Sequence, residues 1–134
     1  MAASHGRLTN IKVATKDISP YCKTSSYEVT ADIHDTTGYG ATAHTKVGGL
    51  MDGAFSAGGT YDNTVSTGPR NALHGQQGVT QTIVRLVEGA GTGKPQDTFS
   101  AVLQSYTETD PVDDVVQWAA KWEITGPVVT IAQP

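Results

Sequence analysis

The stretch GAGTGKP, Gly89 to Pro95, comes closest to chemistry in this 134-residue sequence. Gly93-Lys94 echoes the end of the phosphate-binding loop GxxxxGK[ST], whose backbone N–H groups and lysine hold an anion at a helix N-terminus. The match fails in three ways. Glu88 stands where the first glycine belongs, Pro95 replaces the Ser or Thr that would hold magnesium, and an alternating, strand-like run follows. A hairpin loop punctuated by Gly and Pro is the better reading.

Other candidates fail similarly. AFSAG, Ala54 to Gly58, echoes the nucleophile elbow GxSxG, but Ala54 replaces its first glycine and the segment continues as a strand. In DIHD, Asp32 and His34 share one strand face, as two metal ligands could. His5, His44 and His74 are scattered, however, and no HxH, HExxH or CxxC completes a set. Asp113-Asp114 beside Pro111 reads as a charged turn opening the last strand. Cys22 is the lone cysteine, so an intrachain disulfide is excluded and nothing demands an oxidising compartment. The expectation is a non-enzyme with no cofactor and no metal.

The elements that would position these residues are mostly strands. Tyr27, Val29, Ala31 and Ile33 alternate with Ser26, Glu28, Thr30, Asp32 and His34, which predicts a half-buried strand. Met51, Phe55, Ala57 and Tyr61 share one face of a second. Val79–Glu88 and Asp97–Tyr106 predict a hairpin joined by GAGTGKPQ. Val116, Trp118, Ala120, Trp122 and Ile124 put both tryptophans on one face of a strand ending at Thr125. Leu8–Ala14 predicts an N-terminal strand. Helix signals are confined to TGPRNALHG: Thr67 as cap, Pro69 in the first turn and Gly75 at the end, about two turns in all. The fold class is mainly β: one domain over residues 1–134, two antiparallel sheets packed as a sandwich or partial barrel, and one short helix.

Composition bounds the partners. Net charge is −4, which argues against a nucleic-acid-binding module, since neutralising phosphates needs clustered Lys and Arg. Charged residues make up 16% of the chain and Thr contributes 19 residues, giving a surface that is cheap to desolvate, as interface cores are. MAASHGRLTN has no apolar segment of a signal peptide and no run reaches transmembrane length, so synthesis in the cytoplasm and no membrane contact are expected. Asp35–Gly49 is left as a long Gly-punctuated loop with only Tyr39 and Val47 to bury. Such loops are usually functional or disordered.

GATAHTKVGGLMDGAFSAGGTYD (Gly40–Asp62) and SYTETDPVDDVVQWAAKWEITGPV (Ser105–Val128) resemble the major tail proteins, the tail tube subunits, of siphovirus-type long-tailed bacteriophages. The resemblance runs loosely from Arg7 to Val128. It departs at Gly38-Tyr39-Gly40, where similar proteins often carry Thr-Phe-Gly, and nothing resembles the extra immunoglobulin-like domain of some larger relatives. It implies a β-sandwich that assembles into stacked hexameric rings around a tape measure protein, between tail initiator and terminator proteins. Genomic DNA would pass through without specific binding, and the protein would reside in the virion tail. In that family a long loop between two early strands makes ring-to-ring contacts. Here that stretch holds Thr37, Tyr39, Thr42, His44, Lys46 and Val47. Glu28 and Asp32, on the polar face of one strand, are candidates for lining an acidic lumen. Two other readings stand beside it: a monomeric β-sandwich binding or decoration module of a virion, and a small hydrolase in which His34, Asp32 and Ser56 converge.

Overall fold

A strand with alternating side chains can bury only one face, so the apolar faces must find one another. The computed structural model describes residues 6–62 and 68–134. Its strands are β1 (Asn10–Val13), β2 (Lys16–Asp17), β3 (Thr24–Asp35), β4 (Lys46–Thr60), β5 (Thr80–Leu86), β6 (Pro95–Thr109) and β7 (Gln117–Ala132). They form one antiparallel sheet in the order β2-β1-β5-β6-β7-β4-β3.

The two expected layers are two halves of this single sheet. Tyr27 on β3 and Arg85 on β5 are four strand steps apart, ~19 Å across a flat sheet. Yet the guanidinium carbon of Arg85 lies 5.2 Å from the centre of the Tyr27 ring. Tyr27 also packs on Phe99 of β6, ring centroids 5.5 Å apart. The sheet has rolled over, and its concave face is the core. Phe55, Phe99, Trp122, Leu103, Ile83 and Ile11 fill it. Both tryptophans are buried as their alternation predicts, and both indole N–H groups are satisfied: Trp122 Nε1 donates to Gln81 Oε1 at 3.0 Å, Trp118 Nε1 to the Tyr21 carbonyl at 3.1 Å.

The helix α1 (Pro69–Leu73) is shorter than expected, about one and a half turns. Gly68 occupies its cap position and Thr67 lies outside the described residues, while Gly75 ends the helix at φ +82°. Ala72 and Leu73 enter the core, and Arg70 pairs with Glu108 at 2.6 Å, tying α1 to β6.

Strands β1 and β7 end elsewhere than expected. β1 stops at Val13 and turns back into β2 through Ala14-Thr15, both at positive φ (49° and 70°). This is a two-residue hairpin without the Asn-Gly or Asp-Gly signal that makes such turns legible. β7 does not end at Thr125 but continues through Gly126-Pro127 to Ala132. The pair forms a bulge, with Gly126 at φ +80° and the register against β6 shifting between Ser100↔Thr125 and Thr98↔Val129. A bulge tolerates the missing proline N–H that a regular ladder would not.

Candidate assembly surface

The hairpin β3–β4 leaves the body of the protein. It is paired from Thr24↔Gly58 to Asp35↔Lys46, whereas β4 meets β7 only from Thr60↔Gln117 to Ala54↔Glu123. Beyond that point β7 bends away at its bulge, and at ~3.3 Å per residue the arms run on for about 25 Å. Tyr27, Val29, Ala31 and Ile33 share a face, as the period-two pattern predicts. Of these only Tyr27 is half-buried; Val29 is 39% and Ile33 61% exposed, and Met51 on the same face is 70% exposed. The expected half-buried strand is therefore corrected: the pattern is sound, but the opposite layer does not extend far enough to cover it.

A cleft of about 400 Å³ opens where β4 and β7 part, lined by Val29, Met51, Gly53, Ile124, Pro127 and Val128. It continues the core face outward. Its signal in the sequence was an apolar alternation longer than the core could cover. The other side of the sheet is polar. Register places Ser26, Ser56, Lys121 and Ser105 in one row across β3, β4, β7 and β6, and Glu28, Ala54 and Glu123 in the next. Glu28 and Asp32 both lie on this exposed outer face. Glu123 joins them, a residue that its alternation with the tryptophans places outward.

The long loop is shorter than expected. Asp35 ends β3 and Lys46–Gly49 belong to β4, leaving residues 36–45 as the tip. Polar side chains replace a core at its base. The Thr37 amide donates to Asp35 Oδ1 (2.8 Å), the Thr45 amide to Thr37 Oγ1 (2.9 Å), and the Thr36 amide to the Thr45 carbonyl (2.8 Å). His44 Nδ1 lies 3.3 Å from Thr37 Oγ1 and 3.4 Å from Asp35 Oδ2. The hydroxyl of Thr37, then its amide, hold the Asp35 carboxyl below its usual range; desolvation opposes them, and His44 adds the smallest pull downward. Thr37 and His44 thus build the tip. Tyr39 and Thr42 project from it, Lys46 sits opposite Asp35, and Val47 sits opposite His34.

The residues of the decoy motifs separate. Asp32 and His34 overlie Gly49, where a Cβ would stand 2.6 Å from His34 Nε2 and 3.2 Å from the Asp32 Cβ. Ser56 pairs with Ser26, about 20 Å down the strand from Asp32, so the three do not converge. Among the described residues no three His, Cys, Asp or Glu side chains gather as metal ligands. In the β5–β6 loop, the Gly91 and Gly93 amides donate to Gln133, and Lys94 Nζ donates to the Glu88 carbonyl. That loop is a hairpin turn sealed by the C-terminal segment. Asp113-Asp114 form the charged turn before β7 that was expected.

No protein-family profile matches the chain, and no curated protein does. Solved structures do. A chain of the tail of an empty gene transfer agent particle, refined with C6 symmetry, aligns over 97% of this chain and 100% of its own, at TM-score 0.75 and 12% identity. The SPP1 tail tube aligns over 98% of this chain and 80% of its own, at TM-score 0.74 and 10% identity. The chain has the tail-tube fold. A chain of the PVC sheath–tube complex, an extracellular contractile injection system in its extended state, aligns over 98% of this chain and 93% of its own, at TM-score 0.70 and 14% identity. A similar fold thus also occurs in a contractile machine.

Proposed function

We propose that this chain is the non-enzymatic structural subunit of a bacteriophage tail tube, of siphovirus type, and resides in the virion tail. Copies close into hexameric rings, and rings stack into a conduit for DNA. One observation carries the reading: the β3–β4 hairpin runs past the core with Val29, Ile33, Leu50 and Met51 exposed, and among the described residues no strand pairs with the outer edge of β3. A monomer rarely keeps a long, exposed, hydrophobic edge, because it invites pairing with another chain. Neighbouring copies would cover it. Contacts between unlike surfaces that close make rings, and those that do not close make filaments; a tube uses both. The six-fold symmetry of the gene transfer agent tail supports rings of six.

In this reading the tip residues Thr37, Tyr39, Thr42, His44, Lys46 and Val47 reach the next ring. The polar outer face carrying Glu28 and Asp32 lines the lumen, where carboxylates repel phosphates and let DNA slide. Tape measure, initiator and terminator proteins would be the partners at the lumen and the two ends. Sedimentation velocity tests self-association: a tube subunit forms rings or filaments as concentration rises. A protein that stays monomeric throughout would be a virion binding or decoration module instead.

A further inference from the structure

A second surface carries an inference about how copies meet, resting on the tube-subunit reading above. The open seam of the rolled sheet, between the start of β3 and β1–β5, holds a cleft of about 770 Å³. Its rim carries Arg7, Lys23 and Arg85, and the half-buried Val87 contributes apolar surface. Two of these cations, Lys23 and Arg85, are incompletely matched. Arg85 donates to Asp97 at 3.4 Å, but its Nε is buried with no acceptor, and Lys23 has no acidic partner among the described residues. Asp17 is an acid near Cys22, which also lines the cleft.

The complementary chemistry sits on the β6–β7 loop. Asp110, Asp113 and Asp114 flank Val112 and Val115, and none of the three aspartates pairs with a cation among the described residues. Val112 is fully exposed, and Val115 is 52% exposed. Glu108 is committed to Arg70 and Tyr106 and takes no part. A cationic rim around Val87 on one side matches acidic flanks around Val112 on the other.

We propose that the Asp110–Val115 loop of one copy docks in the Lys23–Arg85 cleft of a second copy, with Val112 toward Val87 and the aspartates facing the cations. Because the two surfaces differ, the contact is head-to-tail and propagates. Like charges placed opposite each other in an interface oppose binding, which makes charge reversal a sharp probe.

The test compares the full-length chain with Lys23→Glu, with Asp113→Lys/Asp114→Lys, and with all three changes combined. All the altered residues are exposed, and circular dichroism checks that each variant folds. The concentration needed for assembly should rise about tenfold or more in each reversal and return toward wild type in the combination. It should also rise with salt in the wild type. Wild-type and reversed chains assembling alike would overturn the docking while leaving the tube reading intact. Loss in Lys23→Glu alone, with the loop variant unaffected, would overturn the loop as the occupant. A wild type that never assembles would overturn both readings.

Discussion

Trp122 on β7 donates its indole N–H to Gln81 Oε1 on β5, 3.0 Å away and fully inside the core. β6 lies between these strands, so one polar contact ties together three strands of the rolled sheet. Gln81 is a buried polar residue, 6% exposed, and the indole is its partner. Trp122→Ala should therefore cost roughly 3–5 kcal/mol of folding stability from lost packing. Gln81→Ala should cost about 1–3 kcal/mol by leaving the indole donor without an acceptor. Urea denaturation followed by far-UV circular dichroism measures both.

The Ala14-Thr15 turn predicts a gain. Thr15 is β-branched and holds φ at 70°, a conformation that costs an L-residue ~1–2 kcal/mol. Thr15→Gly should raise stability by about 0.5–1 kcal/mol, part of the relief being offset by glycine's extra unfolded-state entropy. A lowered melting temperature would contradict the turn geometry.

The hairpin tip should respond to acid. The Asp35 carboxyl titrates below its ordinary 3.8 because the ionised form accepts bonds from Thr37. A lowered folded-state value means the carboxylate favours the closed tip above the ordinary value, and that contribution is lost as pH falls through the lowered one. Amide protection of Thr37 and Thr45 should hold above about pH 4 and drop below it. In Asp35→Asn the protection should be weak and independent of pH.

Much of this architecture was legible because period-two alternation is a local signal. It placed Trp118 and Trp122 inside, Glu28 and Asp32 outside, and the β5–β6 hairpin around GAGTGKPQ. What it could not reveal depends on tertiary context. The alternation of Val29 and Ile33 is the same whether a core or a neighbouring molecule covers them. Gly126-Pro127 reads as a stop, and only pairing with β6 turns it into a bulge within β7. The base of the tip escaped notice because it is held by Asp35, Thr37 and Thr45 through hydrogen bonds that leave no hydrophobic trace. The basic cleft assembles Arg7, Lys23 and Arg85 from distant parts of the chain, so no local motif announces it.

Assembled protein should show no measurable affinity for duplex DNA at physiological salt, since Glu28, Asp32 and Glu123 share the outer face with Lys121 as the nearby cation. Reversing Glu28 and Asp32 to Lys should create binding that weakens steeply with salt, as phosphate contacts do. Fluorescence anisotropy with a labelled duplex reads this. Unchanged anisotropy with the reversed variant would place the lumen on another face.

In the proposed tube the β3–β4 hairpin tip joins stacked rings, and electron microscopy of a loop replacement shows whether it does. Thr37–Val47 is replaced by a short Gly/Ser linker, and wild type and variant are imaged at the same high concentration. Wild type should form tubes. The variant should retain its β circular dichroism spectrum, because the replaced residues are all exposed and lie beyond the core, and should appear as single subunits or isolated rings. Normal tubes from the folded variant would contradict the claim.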